Sequence, residues 1–189
     1  MIMPNQTHLT DLASVQRPTL PVSERIARII LALFYGSAVM VAAEPLLRDA
    51  VATATDSPFS SPTTMLVALR VSTAVWAVLF ALLQAWIYGL VWGAVTRVPR
   101  PQLGRGWTYV LVGQVPFMLL VGWTYLHGGV TGPTALQSPL PRHALGLVSV
   151  AIYGLLAHRA APTTRGRLAA YLVLMSAANA ALMLLSPGR

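Results

Sequence analysis

The chain has 189 residues, of which 56% are hydrophobic and 10% are charged, and its mean hydropathy is +0.64. A soluble domain carries about 25% charged residues, so this composition excludes an ordinary soluble globular protein and is typical of an integral membrane protein. The net charge of +8 comes from 13 basic residues, all of them arginine, and the absence of cysteine excludes disulfides, thiolate metal sites and cysteine nucleophiles.

Residues 1–25 are polar, contain three prolines and lack an apolar run, so we interpret them as a disordered cytoplasmic tail rather than a signal peptide. Apolar segments fill the rest of the chain, and a membrane-spanning helix needs about 20 such residues. The sequence predicts an all-α polytopic membrane bundle over residues 26–186. Its five spans are expected at residues 26–44, 68–96, 107–126, 144–160 and 168–186.

The fourth span is the shortest, because its apolar run covers only residues 144–157. The distribution of arginine nevertheless favours a crossing there. Nine arginines would then share one side of the membrane: Arg17, Arg25, Arg28, Arg97, Arg100, Arg105, Arg159, Arg165 and Arg167. The other side would hold three: Arg48, Arg142 and Arg189. Cytoplasmic loops are rich in arginine and lysine, so we expect a cytoplasmic N-terminus and an external C-terminus.

The basic charge has two interpretations, a nucleic-acid surface or membrane orientation. Its division into clusters at helix ends favours orientation, and we expect no nucleic-acid partner. Anionic lipid headgroups are the expected contacts of Arg97, Arg100, Arg105, Arg159, Arg165 and Arg167. Arginine without lysine, with abundant small residues, suggests a GC-rich bacterial genome, so the expected location is a bacterial cytoplasmic membrane.

Two charged residues lie near the predicted outer interface. Glu44 ends the first span and Arg70 begins the second. They could form an ion pair that clamps the two helices together. Alternatively, each side chain extends separately to water.

Polar and small residues inside the spans are candidates for helix packing or for a pocket. Gln84, Gln114 and Asn179 lie within spans two, three and five, and amides in a bilayer bond neighbouring helices. Gly89 and Gly93 form a GxxxG pattern, which permits close packing of helices or dimerisation.

No catalytic motif is recognisable in the sequence, and we expect neither enzymatic activity nor a cofactor. His127 and His143 share one loop, but their spacing does not select a metal. An intramembrane hydrolase or lipid-modifying enzyme would need residues that the spans lack.

The segment RPQLGRGWTYVLVGQVP, residues 100–116, joins spans two and three. We expect Gly104 and Gly106 to form the turn and Pro116 to kink the following helix. With the later segment LLAHRAAPTTRGRLAAYLVL, the region of residues 84–185 resembles the membrane domain of the Yip1 family. The resemblance implies five spans, a cytoplasmic N-terminus and a protein without catalysis.

The function expected from these features is that of a scaffold, assembly partner or accessory subunit, forming homo- or hetero-oligomers in the bilayer. The alternative is a small-molecule binder or transporter. In that case, Gln84, Gln114 and Asn179 would line a polar pocket beside the proline kink at Pro116.

Overall fold

The computed structural model describes residues 22–54 and 61–185, and this part of the chain is all-helical. Residues 1–21 of the predicted tail lie outside the part of the chain that the structure describes. The elements are α1 (Val22–Thr53), α2 (Pro62–Thr96), α3 (Leu103–Gly113), α4 (Val115–Gly128), a 3-10 helix (Gly129–Gln137), α5 (Pro139–Ala160) and α6 (Arg165–Leu185).

Four helical segments within the described residues are long and apolar enough to cross a membrane, judged by length and composition: Val22–Thr53, Pro62–Thr96, Leu103–Leu136 and Pro139–Ala160. The fourth of these begins five residues before the predicted span at 144, so α5 has 22 residues and a length of about 33 Å. This length matches a hydrocarbon core of about 30 Å. The helix α6 is not among the four.

The first helix is longer than its predicted span, because it continues through Glu44 and Pro45 to Thr53. Glu44 accepts a hydrogen bond from the Arg48 guanidinium at 2.7 Å, one helical turn away. This pair spans Pro45, whose ring removes one backbone donor from the helix.

The expected turn at Gly104 and Gly106 is wrong, since both glycines lie inside α3. The connection instead consists of residues 97–102, and Arg97 ends α2 in the left-handed conformation with φ 57°. The third span is also divided. Gln114 separates α3 from α4, and Pro116 occupies the first turn of α4, where a missing backbone donor is tolerated.

Small residues form much of the packed interior of the bundle, whereas many large apolar residues face outward. In α2 the buried stripe is Ala77, Ala81, Ala85 and Gly89, at intervals of four residues. The exposed side chains of the same helix include Trp76, Leu79, Phe80, Leu83, Trp86, Ile87 and Leu90. This arrangement is typical of helices in lipid, where close backbone approach rather than hydrophobic burial drives association.

The bundle has two distinct ends. The first, called here the arginine-rich end, carries Arg97, Arg100, Arg105, Arg159, Arg165 and Arg167. Hydrogen bonds connect its elements: Arg28 Nε donates to Thr108 Oγ1 at 2.9 Å, and Arg167 Nη1 donates to the Thr96 carbonyl at 3.0 Å. The opposite end contains Glu44, Arg70 and the 3-10 helix.

Candidate functional site

A half-open cavity of about 280 Å³ lies between the helices, in the half nearer the opposite end. All three amide residues that the sequence singles out line it: Gln84, Gln114 and Asn179. We call it the amide cavity. The remaining lining residues are Tyr35, Val39, Phe80, Phe117, Leu136, Arg142, Leu145 and Gly146.

Each amide comes from a different part of the fold. Gln84 lies on α2, Gln114 at the break between α3 and α4, and Asn179 on α6. The break between α3 and α4 places the polar side chain of Gln114 at the cavity. The cavity is therefore enclosed by helices that are distant from one another in sequence.

The hydrogen bonding of these amides is incomplete within the part of the chain that the structure describes. Gln114 Nε2 donates to Ser149 Oγ at 3.3 Å. Gln84 Oε1 and Asn179 Nδ2 are shielded from solvent and have no partner among the described residues. A buried amide atom without a partner carries a free-energy cost of about 1–3 kcal/mol, so both residues have hydrogen-bonding capacity left over.

Arg142 supplies the one positive charge of the cavity lining. Its side chain is exposed and lies in the first turn of α5, one turn before Leu145 and Gly146. Residues three and four positions apart share a helix face, so Arg142 stands at the mouth above those two. The lining contains no aspartate or glutamate within the described residues.

Towards the arginine-rich end the bundle is closed by buried rings, called here the aromatic cluster: Tyr88, Trp92, Tyr109, Tyr153 and Tyr171. Tyr153 contacts Tyr88 edge-on, with ring centroids 5.2 Å apart, and Trp92 contacts Tyr171 at the same distance. Trp92, Tyr153 and Tyr171 are fully buried.

The GxxxG pattern belongs to this closed half. A methyl group added at Gly89 would lie 3.6 Å from the Tyr153 hydroxyl, and one at Gly93 would lie 3.7 Å from the Arg100 Cβ. Both glycines therefore face neighbours in their own chain. Gly89 therefore packs against α5, and Gly93 packs against the connection that follows α2.

Glu44 and Arg70 form an ion pair at the opposite end. Arg70 donates to both Glu44 oxygens, through Nε at 2.8 Å and through Nη2, and Arg48 also donates to this carboxylate. Glu44 is buried at 8% exposure, whereas Arg48 remains exposed. Of the two alternatives for Glu44 and Arg70, the structure shows the clamp between α1 and α2.

All six arginines predicted to meet lipid headgroups have exposed side chains. One has a structural contact as well, because Arg167 caps the end of α2 through the Thr96 carbonyl. Positive charge at the C-terminus of a helix also interacts favourably with the helix dipole.

The histidines do not assemble a metal site. No group of three or more His, Asp or Glu side chains could hold a metal ion within residues 22–54 and 61–185. His127 Nδ1 lies 2.8 Å from the Trp123 carbonyl, within its own helix.

Sequence reasoning missed several members of the site. Arg142 is the one arginine among the described residues that line the cavity, whereas the sequence indicated only a charge in a loop. Ser149 was not singled out, although it partners Gln114. Pro116 was expected beside the pocket, but it is absent from the cavity lining.

No family model, no curated protein and no solved structure matches this chain. The resemblance to the Yip1 family therefore stays a prediction.

Proposed function

We propose that the chain is a five-span protein of a bacterial cytoplasmic membrane, with its N-terminus in the cytoplasm. Helix α6 would be the fifth span, since 21 residues extend about 32 Å. The exposed arginines at one end support this orientation and would meet anionic headgroups.

Cysteine labelling in intact cells tests the topology, because the chain contains no cysteine of its own. Gln102→Cys, Ala135→Cys and a cysteine appended to the C-terminus are treated with a membrane-impermeant maleimide. If the chain has five spans, the reagent should label Ala135→Cys and the C-terminal cysteine but not Gln102→Cys. Labelling of Gln102→Cys together with Ala135→Cys would contradict it.

For its function, we propose that the protein binds a small molecule in the amide cavity, without transforming it. One observation carries this proposal. Three amides from separate parts of the sequence line one cavity, and two of them keep an unpartnered atom. Polar groups inside a bilayer are costly and are retained chiefly where they serve a function.

The cavity has the composition of a ligand site. Small-molecule sites combine apolar and aromatic walls with a few placed polar groups. Here Tyr35, Phe80 and Phe117 supply the aromatic wall, while the amides supply the polar groups.

A thermal-shift screen of the purified protein in mild detergent tests this function. Leu145→Trp fills the amide cavity, and Leu155→Trp is the matched control, because Leu155 is exposed on the outer face of the same helix. A ligand of the cavity should raise the Tm of the wild type and of Leu155→Trp but not of Leu145→Trp. Equal shifts in all three proteins would contradict a site in this cavity.

A second candidate is the scaffold, assembly partner or accessory subunit expected from the Yip1 resemblance. A specific feature favours it: a lipid-facing groove between α1 and α2 that is lined by Ala32, Gly36, Ser37 and Ala74 among others. Small residues permit the close approach of another transmembrane helix.

Light scattering in mild detergent tests the scaffold. The wild type should exceed the monomer mass or bring a second protein with it, and Ser37→Leu, a change at an exposed residue of the groove, should abolish this assembly. Gly122→Leu serves as the control, because nothing lies within 4 Å of a side chain at that glycine. A strictly monomeric wild type without a co-purifying protein would count against the scaffold.

A further inference from the structure

The charge of the amide cavity distinguishes between classes of ligand. We infer that the cavity takes an organic anion, whose charged group meets Arg142 and whose apolar part lies against the aromatic wall. This inference rests on the proposed function, since it names the ligand class of the same cavity.

Arg142 differs from the other arginines at the opposite end. Arg48 and Arg70 both bond Glu44. The Arg142 side chain has neither a hydrogen bond nor an ion pair with any residue that the structure describes. An unpaired guanidinium at the cavity can form a charge-assisted hydrogen bond with an anion.

The rest of the lining contains nothing that would favour a cation. The three acids among the described residues are Glu24, Glu44 and Asp49, and none of them lines the cavity. A bound cation would face Arg142 without a compensating carboxylate, at a cost in electrostatic energy. The charge of the site therefore selects against cations and for anions.

The amides and the rings define the remainder of the ligand. Gln84 and Asn179 each present an amide, which can donate a hydrogen bond to an anionic oxygen or accept one from a hydroxyl. Phe80, Phe117 and Leu145 offer apolar contact. A volume of about 280 Å³ lies just below the roughly 300–1,000 Å³ range of ligand pockets, so the ligand must be small. A compact amphiphilic carboxylate or phosphate ester fits this description, either as a free molecule or as a lipid headgroup.

Charged thiol reagents test the inference without knowledge of the ligand. Leu145→Cys places the one cysteine of the chain in the cavity lining, and Val39→Cys is a second site on the facing helix. Each purified variant reacts in detergent with the anionic 2-sulfonatoethyl methanethiosulfonate and with the cationic 2-(trimethylammonio)ethyl methanethiosulfonate. Ala135→Cys, an exposed position outside the cavity, normalises the two reagents.

The anion site predicts that the normalised ratio of anionic to cationic rates is about fivefold at Leu145→Cys. Introducing Arg142→Gln into the Leu145→Cys variant should lower the ratio of anionic to cationic rates to the value measured for Ala135→Cys. Arg48→Gln, which removes an exposed arginine outside the cavity lining, should leave it unchanged. A ratio near one, or one that Arg142→Gln does not alter, would overturn the inference while leaving the cavity in place. Failure of both reagents at both cysteines would overturn the proposed function itself.

Nanodiscs separate the two sources of anion. The labelling is repeated in phosphatidylcholine and in phosphatidylcholine containing phosphatidylglycerol, with rates again normalised to Ala135→Cys. Slower labelling with phosphatidylglycerol supports a lipid headgroup as the occupant. Charge selectivity that is independent of phosphatidylglycerol supports a free anion.

Discussion

The two halves of the bundle are built on different principles. Next to the arginine-rich end, Trp92, Tyr153 and Tyr171 are fully buried, and small residues let the helices pack closely around them. In the other half, amides occupy the interior and the helices enclose a cavity. Within lipid, where burial of apolar surface gains little, shape complementarity decides where helices close. The buried rings therefore stabilise the fold, whereas the amides are available for binding.

The largest expected effect is at the centre of the closed half. Tyr153→Ala should lower the free energy of unfolding by about 3–5 kcal/mol, because it removes a fully buried ring that contacts three other rings. Tyr153→Phe should be neutral within about 0.5 kcal/mol, since the hydroxyl has no partner among the described residues. Unfolding by SDS in mixed micelles, followed by tryptophan fluorescence, measures both variants. Similar losses in the two would show that the hydroxyl, rather than the ring, stabilises this half.

The next effect is at the boundary between the halves. A methyl group at Gly113 would lie 2.8 Å from Ser149 Oγ and 3.0 Å from the Ser149 carbonyl oxygen, which belongs to backbone that cannot easily shift. Gly113→Ala should therefore cost about 1–3 kcal/mol in the same titration. Gly122→Ala is the matched control and should stabilise the helix by about 0.5 kcal/mol, because nothing lies nearby. Equal values for the two glycines would contradict the close contact between α3 and α5.

A smaller effect is expected at the ion pair of the opposite end. Glu44→Gln leaves Arg70 and Arg48 without their carboxylate, so the Tm should fall by several degrees. Asp49→Asn removes an exposed acid from the same helix and should change the Tm by no more than about one degree. If both variants have the same Tm as the wild type, the ion pair of Glu44 and Arg70 does not stabilise this half of the bundle.

The smallest effect is expected within the amide cavity. Gln84→Leu should cause no loss in the free energy of unfolding, because it removes a buried amide atom that lacks a partner. Gln114→Leu should cost slightly more, about 0.6 kcal/mol, through loss of the bond to Ser149. A loss above about 1 kcal/mol for Gln84→Leu would mean that the amides hold this half together, and the contrast between the halves would fail.

Particular residues show how far the sequence could predict the site. Gln84, Gln114 and Asn179 stood out because amides are unusual inside apolar spans, and that signal needs only composition and position. Arg142 gave no such signal, because a loop arginine is an ordinary residue until the chain folds around it. Tyr153 and Tyr171 were not singled out in the sequence either, although the structure places both in the interior.

The sequence by itself determined the helical class, the four segments that are long and apolar enough to cross a membrane, and the residue types available for a polar site. These follow from local hydropathy, because every backbone group in a bilayer must be bonded within its own segment. Only the tertiary structure decided that the GxxxG pattern packs inward, that Gln114 interrupts a helix, and that three amides share one cavity with Arg142. Those features depend on which helix faces lie together, and the close contacts that decide this join residues far apart in sequence.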